Sequence, residues 1–164
     1  MTKKAQTWIF DYLAGFLMFV FLLIIAINLL QSIDARSDYD VVSREADLIS
    51  VSLMSEGFPS DWNYSSVVMP GILSEGQINM SKLDKFDSFS YERTKALFHV
   101  SGEYWLYFKN ASGIMEVNGE CVRGFHFDGC EVPEVYVNHD DRAWVERIVV
   151  LDSQIVNMVV LTWR

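Results

Sequence analysis

The chain has 164 residues, of which 51% are hydrophobic and 21% charged, and this composition excludes an intrinsically disordered protein. The formal net charge is −9, and the acidic excess lies entirely after residue 31. An acidic body repels phosphate backbones, so we expect no nucleic-acid partner.

The first feature along the chain is an apolar run over residues 8–30, which contains one charged residue, Asp11. As a helix this run spans about 35 Å, enough to cross a hydrocarbon core of about 30 Å. A secretory signal peptide has a shorter apolar stretch of about 7–15 residues and a small-residue cleavage site. The sequence therefore predicts a transmembrane helix over 8–30 that is retained.

The charges on either side of this run predict its orientation. Lys3 and Lys4 precede it, and Asp34, Arg36 and Asp38 follow it. Positive residues favour the cytoplasmic side of a membrane. We expect a membrane protein with a cytoplasmic N-terminus and an extracellular head.

The helix is predicted to continue outward over 31–54, because neither proline nor glycine occurs there. Apolar residues recur every three or four positions and form a packing stripe. Its partner is either the head of the same chain or the same helix in neighbouring subunits. The stripe consists of Ala35, Tyr39, Val42, Ala46, Ile49 and Leu53. Charged residues are assigned to the other faces, namely Asp38, Asp40, Arg44, Glu45 and Asp47.

Gly57 and Pro59 predict the end of this helix, since glycine caps a helix and proline cannot continue it. The head that follows is predicted to contain one helical region and several strands, of which the last two form a β-hairpin closed by residues 152–154. The expected fold class is α+β, a long N-terminal helix followed by a small head with an antiparallel sheet. The helical region covers 81–100, with Ser88 or Ser90 capping a second segment, and the strands cover 104–109, 113–117, 132–137, 145–151 and 155–163.

Cys121 and Cys130 are separated by eight residues, and an extracellular head would allow them to form a disulfide. Two free thiols are a second possibility. A third is a zinc set of these cysteines with His126 and His139, although the spacing matches no familiar zinc pattern. We favour the disulfide and predict no metal site.

Three N-x-S sequences mark candidate glycosylation sites at Asn63, Asn79 and Asn110. The alternative is that these residues simply form turns. The acidic stretch 138–141 lacks the spaced carboxylates of a calcium loop and is interpreted as a solvated turn.

No catalytic motif is present in the sequence. It contains no G-x-S-x-G, H-E-x-x-H, G-K-[ST] or C-x-x-C pattern. His99 follows Phe98 at the end of the predicted helical region and is interpreted as structural. We therefore expect a protein that is not an enzyme, has no catalytic residues and needs no cofactor.

The N-terminal residues Lys3-Lys4-Ala5-Gln6, followed by Trp8-Ile9-Phe10-Asp11-Tyr12 and the apolar run, resemble the class III prepilin-type leader of archaeal type IV pilin-like proteins. The head resembles theirs in 58–63, in 71–73 and in the aromatic stretch 104–108. The resemblance implies cleavage between Ala5 and Gln6 by a prepilin peptidase. It thereby divides the chain into a leader 1–5, a helix 6–55 and an extracellular head 56–164.

The same resemblance implies a structural subunit of an extracellular filament on the cell surface. Its partners would be copies of itself or related pilins, membrane lipid before assembly, and the pilus assembly machinery. Asp11 would pair with the amino terminus of a neighbour, whereas the residues alone also allow it to lie at the cytoplasmic headgroups. Alternative functions are a membrane-anchored binding or adhesion module, and a minor pilin that primes or tips a filament.

Overall fold

The computed structural model describes residues 3–125, 129–130 and 141–164, and it describes side chains for these residues except 3–11 and 31–37. The chain divides into two compact units, residues 1–37 and residues 38–164. The fold is mixed, with an N-terminal apolar helix and a mainly antiparallel sheet, and it is compatible with the predicted α+β class. The predicted division at residues 5 and 55 stays a prediction.

Helix α1 covers Lys3–Leu53. In the first unit, the polar side chain of Asn28 is satisfied within the helix, because its amide donates to the carbonyl of Ile24 at 2.8 Å. In the second unit the helix ends close to the predicted position. Gly57 follows in the left-handed region with φ +79°, a conformation that favours glycine.

The head contains seven strands among the described residues, and they form one sheet in the order β1-β2-β6-β7-β3-β4, with β5 also paired to β3. Every pairing is antiparallel except that of β2 with β6. The strands are β1 Leu73–Ser74, β2 Gln77–Ile78, β3 Glu103–Asn110, β4 Gly113–Met115, β5 Val122–Gly124, β6 Arg142–Leu151 and β7 Gln154–Trp163.

The predicted terminal hairpin is present as β6 and β7, and β7 is the centre of the sheet because it pairs with β3 on its other side. β3 and β4 correspond to predicted strands, β4 lying within the predicted stretch 113–117, whereas the short strands β1, β2 and β5 were not predicted. The predicted strand 132–137 lies outside the described residues.

The predicted helical region 81–100 consists of two short helices, α2 Met80–Asp87 and α3 Tyr91–Phe98. Asn79 caps α2, because its side-chain oxygen accepts from the N–H of Lys82 at 3.2 Å. Ser90 occupies the N-cap position of α3, as the sequence allowed, although its side chain makes no capping bond.

The buried face of α1 explains how the helix holds the head. Val42, Ala46, Ile49 and Leu53 have no solvent exposure and belong to the main core cluster. Tyr39 departs from the predicted stripe, because its side chain is 51% exposed. Strand β7 contacts the helix at this level, since Thr162 Oγ1 donates to the Val42 carbonyl at 2.9 Å. The side chain of Ala35 lies outside the described residues.

Replacing Ile49 by aspartate buries an uncompensated charge in this core, and we expect it to lower the free energy of unfolding of the head by about 3 kcal/mol or more. Leu48 is the matched control, because it is the adjacent residue and is 51% exposed. Leu48→Asp should change the unfolding free energy by no more than about 0.5 kcal/mol. Urea unfolding followed by tryptophan fluorescence measures both. Equal losses from the two variants would contradict the assigned buried face.

Candidate membrane helix and its attachment to the head

The most distinctive feature of the first unit is a long apolar stretch. Residues Tyr12–Leu30 form a candidate membrane span with a mean hydropathy of 2.8, and none of the stretch is buried. Large side chains such as Phe16, Phe19 and Leu30 are 53%, 61% and 65% exposed. By length and composition this helix can cross a membrane.

The residues that carry the predicted processing and pairing precede this span. Ala5, Gln6 and Asp11 all lie within α1, which begins at Lys3. Their side chains lie outside the described residues. Cleavage between Ala5 and Gln6 and the pairing of Asp11 therefore stay predictions.

In the second unit, Glu45 attaches α1 to the head. Its carboxylate oxygen Oε1 accepts from the backbone N–H and the hydroxyl of Ser101, each at 2.8 Å, and Oε2 accepts from the N–H of Gly102 at 3.0 Å. Glu45 is 8% exposed. The hydrogen bonds that a buried carboxylate accepts offset the free energy that its removal from water costs.

Gly102 is required for this contact. A Cβ atom at Gly102 would lie 2.7 Å from Glu45 Oε2 and 2.9 Å from the Trp163 carbonyl oxygen, both too close for any larger residue. Glu45 was expected on a face of α1 other than the packing stripe, but it is 8% exposed and contributes to the buried contact with the head. The buried face of α1 is wider than a stripe of one apolar residue per turn and also includes Glu45, Ser50 and Ser52.

Further polar contacts flank the apolar face of α1. Ser52 Oγ donates to the Pro70 carbonyl at 2.8 Å, in a buried position. Arg147 of β6 donates to Asp47 at 2.5 Å, but both side chains remain substantially exposed, so this ion pair adds little stability. The buried contacts therefore dominate the attachment.

A second polar cluster joins α3 to β3. The Glu103 carboxylate accepts from the Tyr91 hydroxyl and from Lys95 Nζ, the latter at 2.9 Å. Burial alone would raise the pKa of Glu103, but the hydrogen bonds from Tyr91 and Lys95 and the charge of Lys95 outweigh it, so the pKa is lowered. Burial, reinforced by the bond to Glu103, raises the pKa of Tyr91, so its hydroxyl stays protonated.

The two cysteines lie at disulfide distance, with 1.95 Å between Cys121 Sγ and Cys130 Sγ and 5.0 Å between their Cα atoms. Nearby, Arg123 binds Asp87 of α2 at 2.6 Å and is 6% exposed, so it ties β5 to α2. His126 and His139 of the alternative zinc set lie outside the described residues. Among the residues that are described, no group of three or more His, Cys, Asp or Glu side chains is placed to hold a metal ion.

The three candidate glycosylation sites differ in their surroundings. Asn63 and Asn110 are exposed, and each side-chain oxygen accepts a backbone N–H two residues ahead, at 2.9 and 2.8 Å. Asn79 is half-buried, and its Nδ2 donates to Ser74 Oγ at 3.1 Å. A glycan on Asn79 would have to replace this bond, so Asn79 is the least suitable of the three. His99, which was interpreted as structural, is the exposed C-cap of α3.

Comparison of the chain with family models, with curated proteins and with solved structures finds no match.

Removing the Glu45 carboxylate should leave the three donors on Ser101 and Gly102 without their acceptor. We expect Glu45→Ala to lower the free energy of unfolding by about 2–3 kcal/mol. Asp47→Ala is the matched control on the same helix, and because Asp47 is exposed its effect should stay within about 0.5 kcal/mol. Thermal or urea unfolding of the two variants measures the difference. A Glu45 variant as stable as the Asp47 variant would contradict the anchoring role.

The lowered pKa of Glu103 predicts a pH dependence. Its folded pKa lies below the ordinary value of 4.5, so its ionised form stabilises the head above that pH. This contribution should be lost as the pH falls below about 4.5 through the folded pKa. Glu103→Gln should therefore flatten the decline in melting temperature between pH 5 and pH 3. If the melting temperature of this variant falls with decreasing pH as steeply as that of the wild type, groups other than Glu103 control the pH dependence.

Proposed function

We propose that the chain is a pilin-like structural subunit of an archaeal type IV pilus-like extracellular filament, assembled through its apolar N-terminal helix. The proposal rests on one observation above all. The candidate span Tyr12–Leu30 carries a continuous apolar surface, and none of it is buried by the described residues.

Such a surface is unstable in water and needs a cover. At about 25 cal/mol per Å² of apolar area, a helix of this length gains tens of kcal/mol from being covered. Lipid supplies the cover before assembly, and the helices of other copies supply it in a filament, where they bury one another. A subunit that leaves the membrane for a filament exchanges one apolar environment for the other.

The head supports the same proposal, since it has a core of its own. Residues 42–53 of α1 complete that core, and Glu45 fixes this part of the helix to the turn before β3. The core of the head is thus formed without residues of the apolar stretch. In the proposed filament, the apolar helices form the interior and the heads form the outer surface.

Processing and pairing complete the proposal. Cleavage between Ala5 and Gln6 releases a new amino terminus close to the start of the apolar helix. In a filament interior, Asp11 requires a cationic partner because an unpaired buried charge is too costly. The amino terminus of Gln6 in a neighbouring copy is the partner that the resemblance implies.

The test is the phenotype of Asp11→Ala in the native host. We expect membrane insertion to be unchanged or improved, because a charge leaves the apolar run, and the yield of filaments to fall about tenfold or more, because the pairing is lost. Asp40→Ala is the matched control, since Asp40 is an exposed acidic residue of the same helix beyond the apolar run. Electron microscopy of sheared surface material and membrane fractionation give the readouts.

A normal filament yield from Asp11→Ala would remove the pairing from the proposal. If the wild-type chain forms no filaments even with its whole gene neighbourhood expressed, the membrane-anchored binding module becomes the better explanation. The apolar helix is common to both functions, so filament formation is what separates them.

A further inference from the structure

Strand β6 has an open edge. β6 pairs with β7 along its whole length, but on its other side β2 contacts it only through Gln77 and Val150. Among the described residues, no strand pairs with residues 142–149, which we call the free edge of β6. An open edge presents unpaired backbone groups to any strand that can add to it.

The hairpin geometry identifies the backbone groups at this edge. The turn has two residues, Asp152 and Ser153, with φ values of 47° and 65°, and it is closed by the pair Leu151 and Gln154. In a two-residue hairpin of this kind the closing residues exchange hydrogen bonds, and the bonding alternates from there. The odd-numbered residues of β6 therefore bond to β7, and the even-numbered residues direct their N–H and C=O groups to the free edge.

The side chains of the even-numbered residues lie on the face of the sheet away from α1. Arg147, an odd-numbered residue, reaches Asp47 on the α1 side. Trp144 and Ile148 on the opposite face are 60% and 72% exposed. Two large apolar side chains thus stand on an edge where four residues, 142, 144, 146 and 148, direct unpaired backbone groups outward, which is unusual for an edge that only meets water.

The sequence at this edge is complementary to itself. Residues 141–147 run Asp-Arg-Ala-Trp-Val-Glu-Arg. If a second copy adds antiparallel to β6 with Trp144 opposite Trp144, then Asp141 lies opposite Arg147 and Arg142 lies opposite Glu146. Each of these ion pairs occurs twice in the dimer. Opposite charges that face each other across strands are stabilising, whereas like charges are not.

Neighbouring registers lose these pairs. If the two-fold axis passes through Val145, Trp144 of one copy lies opposite Glu146 of the other. If it passes through Glu146, the two copies of Glu146 lie opposite each other. All three registers set even-numbered residues opposite even-numbered residues and so satisfy the backbone of a regular antiparallel ladder; the ion pairs are what favour the register centred on Trp144.

We propose that the free edge of β6 joins two copies of this chain in an antiparallel pair whose two-fold axis passes through Trp144. Within the described part of the chain, Nη1 of Arg142 is buried without a hydrogen-bond partner, and the guanidinium lies 6.0 Å from the centre of the Trp144 ring, so Arg142 turns outward to meet Glu146 of the second copy. Glu146 is already held in place by Lys109 at 3.0 Å and Asn157 at 2.6 Å.

The pair differs from the packing in the proposed filament. Residues 42–50 of α1 run in the same direction as β6. Near the start of β6, Ala143 pairs with Thr162, which bonds to Val42. Further along β6, Arg147 bonds to Asp47, which also lies further along α1. In an antiparallel pair these helix segments run in opposite directions in the two copies. The contact therefore joins chains of opposite orientation, and it does not depend on filament formation.

Cysteine cross-linking of the full-length chain in a mild non-ionic detergent tests the register. Trp144→Cys places two thiols opposite each other, with Cα atoms about 5.5 Å apart, within the range of a disulfide. Ile148→Cys is the matched control on the same strand and face, and it is more exposed. In the proposed register, the two copies of residue 148 lie about 26 Å apart. With a mild oxidant, Trp144→Cys should form covalent dimers and Ile148→Cys should not.

Charge reversal tests the pairs themselves. Arg142→Glu alone and Glu146→Arg alone each create like-charge pairs and should reduce dimer formation of the Trp144→Cys chain about tenfold. The double variant restores opposite charges and should recover the yield, which a damaged head would not do. Equal cross-linking at 144 and 148, no dimer at either position, or a double variant no better than the single ones would overturn the proposal.

Discussion

The constraint on which the rest of the molecule depends is an apolar surface that the described residues leave uncovered. Nineteen residues, Tyr12–Leu30, form a helix with no buried part and a mean hydropathy of 2.8. The apolar interior of the head is filled by its own residues, among them Leu83, Trp105 and Met158. The stretch therefore requires an apolar neighbour, which lipid or another protein helix can supply, and the proposed filament offers both in turn.

The attachment of α1 to the head explains how one helix can carry the apolar stretch and also complete the core of the head. Apolar residues from Val42 to Leu53 pack into the core, and Glu45 adds directional hydrogen bonds to Ser101 and Gly102. Apolar packing determines which face of α1 contacts the head. The hydrogen bonds from three donors to one carboxylate also fix the position of the helix along its own axis. A force on the helix would thus be carried by the core and not by the exposed Asp47–Arg147 pair.

Periodic elements were predictable from the sequence, and local ones were not. The hairpin β6–β7 and the residues Val42, Ala46 and Ile49 follow patterns that repeat over ten or more residues. The pair at Cys121 and Cys130 was predicted from spacing and compartment, and the two sulfurs lie at disulfide distance.

Glu45 was missed for a physical reason. Its hydrogen-bond donors lie 56 and 57 residues further along the chain, and no local sequence pattern predicts a contact between residues so far apart in sequence. Strand β5 was missed because Arg123 and Gly124 give it no apolar strand pattern, although Arg123 is one of the few buried charges among the described residues. The predicted processing site at Ala5 and Gln6 rests on the resemblance alone.

The most direct test of the central claim asks what covers the apolar stretch. A photo-activated cross-linking residue at Phe19, which is 61% exposed, would form adducts with whatever lies against the helix. Mass spectrometry of the adducts, from the membrane fraction and from sheared surface material, identifies the neighbour. The account predicts lipid adducts in the membrane fraction and adducts to the apolar helix of another copy in the surface material. Adducts to residues of the same chain's head, or lipid adducts in both fractions, would contradict it.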